Sequence, residues 1–451
     1  MSEMIAYGGR NVPLLGSYDA VIVGAGSAGC AAAYTCAGHG VRTLLVEKSI
    51  RTGGSSVNAL VTPMMDSYTG HHSVFYDLEA ALNKRAQTRD QFGTLQRNYS
   101  ADNMADAWEE LLQKAGCEIL YDACLSDVII ENGKIRTLIV TTCEGLQAIN
   151  GKVFADTTGD AVFLREAGVP TSHGDDQGND QLSSLRFEMG GIDIEALRSY
   201  VMGLHDKYSR NNIKGDLFES AMVGGRGFSM EPLFRKGVEE GILTEDELRY
   251  YQNYSIPGKP GCMSFNCPHL VNLKSNASAM DRSRAVQDGH ASIQRLVKFL
   301  KKYMPGFENS YLIREADMIG IRESWRLNGI YVLTSKDYIK QARFEDGIAR
   351  GDWWIDVHTA DGKEQEGFEF KHGDYYEIPY RSLVCKDIRN IICAGRCIST
   401  DFLMQASIRI IPTCIDMGQA AGEALALSVK DDIELNVIDG KNIRERLGEY
   451  R

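Results

Sequence analysis

Residues 18 to 47, YDAVIVGAGSAGCAAAYTCAGHGVRTLLVE, hold a buried strand, a glycine-rich turn, a helix and a second strand that stops at a carboxylate. The apolar run Ala20 to Val23 is too short for a helix and runs straight into Gly24-Ala25-Gly26-Ser27-Ala28-Gly29. In that context Gly24 permits the tight turn, Gly26 lets the backbone approach a pyrophosphate, and Gly29 lets the helix pack close to the strand. Ser27 and Ala28 open the helix, where free N–H groups and a partial positive charge favour phosphate. Thr43 to Val46 form the second strand. Glu47 at its end, with Lys48 beside it, is placed to accept the hydroxyls of an adenosine ribose, and its charge disfavours the ribose phosphate of NADP. The segment predicts a unit that binds the ADP half of a dinucleotide.

At 451 residues the chain is long enough for two or three domains. Its net charge of −12, with no basic stripe, argues against nucleic acid and anionic membrane as partners. No apolar run approaches the ~20 residues that span a bilayer, and the first residues lack the basic start and apolar core of a signal peptide. A cytoplasmic location is expected. Eleven cysteines without CxxC or iron–sulfur spacing make neither a disulfide framework nor a cluster site. The closest groupings, Cys262 with Cys267 and Cys393 with Cys397, are poor redox spacings, and His71-His72 reads as a loop feature without further metal ligands. No metal is expected.

Behind Glu47, the turn Gly53-Gly54-Ser55 offers backbone donors suited to the middle of a long cofactor. A helix is expected from Asp102, as its cap, to Gly116, with Met104, Trp108, Leu111 and Leu112 on one face. Short strands follow at Glu118 to Tyr121, Asp127 to Glu131, Lys134 to Thr141 and Val153 to Asp156, with Asn132-Gly133 as a type I′ hairpin turn. The last of them stops at Asp156-Thr157-Thr158-Gly159-Asp160. From about 171 to 384 the βαβ rhythm is lost; helices are expected at Thr244 to Tyr251 and Asp281 to Tyr303, and aromatic strands at Trp353 to Val357 and Tyr375 to Ile378. The rhythm resumes with the strand Ile391 to Cys393, the turn Ala394-Gly395-Arg396, and a helix opened by Pro412, whose first turn presents Thr413. The division expected is 1–60, 101–170 (with a β-meander) and 385–451 as three parts of a cofactor domain, 61–100 as a cap segment, and 171–384 as a substrate domain.

These features together resemble the glutathione-reductase-type FAD-binding fold. More narrowly, Asp156 to Asp160, the run Gly320-Ile321-Arg322-Glu323-Ser324-Trp325-Arg326, Asp356-Val357-His358, Ile378-Pro379-Tyr380-Arg381, Ala394-Gly395-Arg396 and Gly418-Gln419-Ala420-Ala421-Gly422 resemble the FAD-dependent oxidoreductases distantly similar to fumarate reductase and succinate dehydrogenase flavoproteins. The resemblance implies bound FAD, an α/β fold in which a Rossmann-like domain (parallel sheet plus β-meander) is assembled from both chain ends, and a separate α+β substrate domain. It implies no particular reaction.

For the chemistry, Arg409 and Arg322 are candidates for clamping an anion. His358 is the candidate for proton transfer. Tyr380 is a further candidate for the same pocket, and Arg326, Arg381 and the stretch Asn266-Cys267-Pro268-His269 are weaker ones. The expected activity is hydride transfer between a small polar or anionic substrate and flavin N5, with an unidentified electron donor or acceptor as partner. Alternatives are an FAD- or NAD-containing synthase resembling thiazole-forming proteins, and a non-enzymatic dinucleotide sensor. Glu47→Lys is predicted to weaken cofactor binding by about 1.5–3 kcal/mol through loss of charge-assisted hydrogen bonds; unchanged FAD occupancy after dialysis would remove Glu47 from the site.

Overall fold

The computed structural model describes residues 3–85, 98–206, 210–214, 217–223, 228–358 and 370–451. A hairpin of β1 (Met4–Tyr7) and β2 (Arg10–Val23) leads into helix α1 (Ser27–Gly38) and β3 (Thr43–Val46). After α2 (Ser73–Asn83) and α3 (Ala101–Ala115) come β4 (Glu118–Leu120), β5 (Cys124–Glu131), β6 (Lys134–Thr142) and β7 (Gly145–Asp156). These strands lie in the order β4-β3-β2-β7-β6-β5. β4, β3, β2 and β7 are parallel neighbours, whereas β5, β6 and β7 form an antiparallel meander. β7 is long because it serves both: its first half pairs with β6, its second with the late strand described below. Asn132 and Gly133 both take positive φ, 51° and 72°, as the type I′ turn requires.

A short helix α4 (Val162–Glu166) and β8 (Thr171–Ser172) end this part. The next segment builds a second sheet of β9 (Phe187–Gly190), β10 (Arg210–Lys214), β11 (Leu217–Val223), β12 (Tyr250–Ser255), β13 (Met263–Phe265) and β14 (Tyr311–Glu315), ordered β10-β11-β12-β13-β9-β14. Helices α5 (Ile194–Gly203), α6 (Glu231–Glu239) and α7 (Ala279–Tyr303) accompany it. Then follow β15 (Arg326–Leu327, paired with β8), α8 (Ser335–Ile339), the hairpin β16 (Gly347–Gly351) and β17 (Tyr376–Pro379), and β18 (Ile391–Cys393), parallel to β7. α9 (Phe402–Ile408), α10 (Ile411–Asp431) and α11 (Gly440–Leu447) close the chain.

The apolar side chains form two principal cores. One joins β2, α1, α3, β7 and α10 with residues such as Leu333, Tyr376 and Leu383; the other spans Leu185 to Ala316, with Leu60 and Ala101 added. The described residues of 327–384, grouped by sequence with the substrate domain, therefore pack on the cofactor side. Two carboxylates tie the halves together. Asp102 on α3 binds Arg51, Lys259 and Arg314 at 2.6, 2.6 and 3.3 Å, and Asp160 binds Arg282 and Arg396 at 2.8 and 2.6 Å.

Several local expectations differ from the structure. Ser100 rather than Asp102 is the cap residue of α3, and Asp102 spends its carboxylate on the ion pairs instead. The stretch expected to be helical from Thr244 is a single turn, Glu245–Leu248, capped by Thr244, followed by strand β12. Its sequence YYQNYS is rich in aromatic residues, which suit a pleated surface more than a helix. Residues 352–357 are irregular rather than a strand. His71 and His72 precede α2, but both are buried: His71 Nδ1 lies 2.8 Å from Asp416 on α10, and the His72 N–H donates to the same carboxylate.

α1 and α10 cross in close contact. A Cβ on Gly418 would lie 2.2 Å from the Ala28 carbonyl, and one on Gly422 would lie 2.6 Å from that of Ala32. Residues four apart on each helix thus form matched small faces. Gly418→Ala is predicted to cost on the order of 1–3 kcal/mol by overpacking and to loosen FAD, whereas Gly38→Ala, whose Cβ meets nothing within 4 Å, should leave both unchanged. Thermal melting with flavin fluorescence checks the pair.

Candidate active site

Where β2, β3, β7 and β18 end, a cavity of about 1400 Å³ opens between the two halves of the molecule. It exceeds the ~300–1,000 Å³ of an ordinary small-ligand site. The ADP-type turn forms one end. Gly24 has φ +99° and its missing Cβ makes room for Thr157, whose hydroxyl donates to the Val23 and Gly24 carbonyls. Gly29 lies behind the turn, where a Cβ would collide with the Gly24 carbonyl at 1.9 Å. Gly26 differs: its Cβ would meet nothing nearer than the Thr157 carbonyl at 4.0 Å, so the position is kept clear toward the cavity. No side chain caps α1, which leaves its first N–H groups for a ligand.

Glu47 is buried, 6% exposed, and lines the cavity. Its carboxylate accepts the Ala25 N–H at 2.6 Å and the Ser49 N–H at 2.8 Å, so it braces the glycine turn as well as facing the adenosine end. The second glycine turn stacks on the first: Gly53 N–H donates to the Ala25 carbonyl at 2.7 Å, and a Cβ on Gly54 would lie 2.7 Å from Gly26 Cα.

Ser27, Ala28, Lys48, Gly54, Ser55, Thr158, Gly159, Gly395 and Arg396 also line the cavity, while Gly53 and Thr413 lie behind its surface. Thr158 donates both its hydroxyl and its backbone N–H to Asp156, at 2.8 and 2.9 Å. Arg396 is turned to Asp160 and Ser324. α10 also begins without a side-chain cap, and the buried Thr413 hydroxyl lacks a hydrogen-bond partner.

The far end collects charge. Arg409 donates from Nη2 to the Asp356 carbonyl at 2.9 Å and to its carboxylate at 3.2 Å, and His358 Nε2 lies 3.2 Å from the other oxygen of that carboxylate. Arg322 donates to the Leu182 carbonyl and the Ser184 hydroxyl, and its Nη2 points at His269 Nε2, 3.4 Å away. Tyr250 stacks on the His269 ring with centroids 4.6 Å apart.

Burial, joined by the neighbouring arginines, lowers the proton affinity of both His358 and His269, and His269 lies well below the ordinary range. Burial, with Arg409 and Arg186 nearby, brings Arg322 down to about 9. Despite burial, His358 and the arginines hold the Asp356 carboxyl far below its usual range.

Arg322, Arg409 and His358 are therefore brought together at this end of the cavity. Tyr380 is not: it is buried in the first core with its hydroxyl on the Leu435 carbonyl, and it does not line the cavity. Proline and aromatic character placed it in a packed hairpin end instead. Arg326 pairs with Glu323 and Arg381 with Asp346, both outside the cavity. Arg186 and Tyr250 were missed, since a single arginine ahead of a strand and a tyrosine inside a supposed helix carry no spacing signal.

Residues 19–447 match the family model described as FAD dependent oxidoreductase. The chain belongs to the FAD-dependent oxidoreductases. This excludes a merely non-enzymatic sensor. A tRNA uridine 5-carboxymethylaminomethyl modification enzyme of Flavobacterium psychrophilum is 30% identical over 157 residues, 32% of this chain and 25% of that protein. A vinyl phenol reductase of Lactiplantibacillus plantarum is 52% identical over 52 residues, 12% of this chain and 10% of that one. The chain thus spans a quarter or less of these curated relatives. A geranylgeranyl bacteriochlorophyll reductase-like structure from Thermoplasma acidophilum aligns over 96% of this chain and 83% of its own, at 13% identity and TM-score 0.47. The open α1 terminus, the clear space at Gly26 and a cavity continuous from Gly24 to Arg409 all fit FAD.

The lowered histidines tie stability to pH. Below about pH 6.5 the unfolded chain binds protons that the folded imidazoles refuse, so stability present above that value is lost as pH falls toward the folded values, by up to about 1.4 kcal/mol per unit for each histidine. The denaturant midpoint should fall on acidification below neutral pH, and fall less steeply in His269→Gln. Equal slopes would show that His269 carries a normal proton affinity.

Proposed function

We propose that this oxidoreductase moves a hydride between FAD and a carbon of a small anionic organic substrate anchored by Arg322 and Arg409. The observation that carries the reading is an imbalance of charge: Arg186, Arg322 and Arg409 line the cavity's far end, and Asp356 is the carboxylate beside them, already shared between Arg409 and His358. Among the described residues neither Arg186 nor Arg322 has an ion-pair partner. A buried cation left unpaired costs several kcal/mol, and an anionic ligand removes that cost.

FAD supplies the two-electron acceptor or donor. The α1 N-terminus with Gly26 would hold its pyrophosphate, Glu47 its adenosine ribose, and the α10 N-terminus its flavin edge. Asp356 is the positioning residue. It orients the Arg409 guanidinium toward the substrate and takes the Nε2 side of His358, which leaves His358 Nδ1 as the atom that accepts a proton or returns it. With its proton affinity lowered, His358 is neutral near pH 7 and ready to accept. Arg322, fixed by Leu182, Ser184 and His269, holds the substrate's oxygens, and the aromatic walls exclude water. The electron partner is a small carrier, oxygen or another protein.

An anaerobic screen of organic acids against flavin absorbance tests the reading. His358→Gln should retain FAD and slow flavin reduction or reoxidation by the true substrate about 10²–10⁴-fold; Arg322→Gln should chiefly raise KM. Full turnover in both variants would overturn the assignment.

A further inference from the structure

Arg186 adds to the positive charge of the cavity but has no assigned contact with the substrate in the function proposed above. It is 4% exposed and yet lines the cavity. One Nη donates to the Leu60 carbonyl at 3.2 Å. Among the described residues Arg186 has no carboxylate partner, and its only hydrogen bond is to that carbonyl. The phenol groups of Tyr254, Tyr250 and Tyr99 lie within electrostatic reach of the side chain. Phe228, Tyr250 and Tyr254 line the cavity on this side, and the stacked pair Trp353–Trp354 lines it elsewhere, with ring centroids 3.8 Å apart.

Ser184, which receives Arg322, and Arg186 are two residues apart on an extended segment, so they share a face. The spacing of their backbones is roughly 7 Å at about 3.3 Å per residue. The Arg322 guanidinium rests on the Ser184 hydroxyl, so the two cations belong to one wall of the cavity, and a benzene ring with oxygen-bearing groups at opposite ends offers one to each. A short aliphatic acid would leave the aromatic wall without contact.

We propose that Arg186 and the surrounding tyrosines form a second recognition site, and that the substrate is an aromatic acid with an anionic or hydroxyl group across the ring from its anchored end. This rests on the reading of Arg322 and Arg409 as the near anchor. Guanidinium donors match a carboxylate or phenolate oxygen, and ring-on-ring packing supplies a preference that charge alone does not.

The oxidised holoenzyme is titrated with terephthalate, 4-hydroxybenzoate, benzoate and succinate, read by flavin absorbance and calorimetry. The para-disubstituted acids should bind at least tenfold more tightly than benzoate or succinate. Arg186→Met should bring them down to the level of benzoate, and Arg322→Met should weaken every acid. Tyr254→Leu, the second arm should Arg186→Met fail to fold, should weaken terephthalate and spare succinate. Succinate binding as tightly as terephthalate would overturn the aromatic class while leaving the anion site standing. An unchanged ranking in Arg186→Met would remove Arg186. Unchanged binding of every acid in Arg322→Met would instead defeat the proposed function itself.

Discussion

The crossing of α1 and α10 is the contact on which the site depends. These helices come from opposite ends of the sequence, and they approach because Gly418 and Gly422 present bare backbone to the Ala28 and Ala32 carbonyls. Larger residues at Gly418 or Gly422 would push the helices apart. With them together, both uncapped N-termini open at the same end of the parallel sheet, one beside the glycine turn and one beside Arg409. A long cofactor that needs positive potential at two separated points is served by one packing event. The buried contacts of His71 and His72 with Asp416 fasten α10 from its other side, so the segment before α2 shares in the same alignment.

The second half of the molecule brings a different constraint. Its sheet delivers Tyr250, Asn266 and Arg186 to the cavity, while the irregular stretch 352–358, on the cofactor side, delivers Asp356 and His358. Asp102 and Asp160 hold the halves together by ion pairs whose members come from both. The chamber therefore inherits its charge from two independently built surfaces, and one carboxylate, Asp356, organises an arginine and a histidine between them.

The cofactor half was legible because its constraints are local. Glycines at Gly24, Gly26 and Gly29 are demanded by backbone contacts within a few residues, and a carboxylate at the strand end follows from the period of a βαβ unit. The hairpin at Asn132-Gly133 is legible for the same reason. The substrate half was not, since its residues meet only after a non-local sheet forms. Tyr250 lies in a stretch whose charge pattern imitates a helix, and Arg186 lies in one with no pattern at all. Tyr380 misled because a tyrosine after proline looks the same whether its hydroxyl faces a ligand or, as here, the Leu435 carbonyl.

One further consequence concerns the cysteines. Cys414 lines the cavity, and burial raises its thiol to about 12; Cys30, buried behind the first turn, is pushed up in the same way. The nucleophilic form of cysteine is the thiolate. With a value near 12, only about one Cys414 in 10⁵ carries that form at neutral pH. Of the eleven free thiols among the described residues, Cys124 and Cys414 line the cavity; at Cys414, beside the start of α10, peroxide or an electrophilic product meets a poor nucleophile.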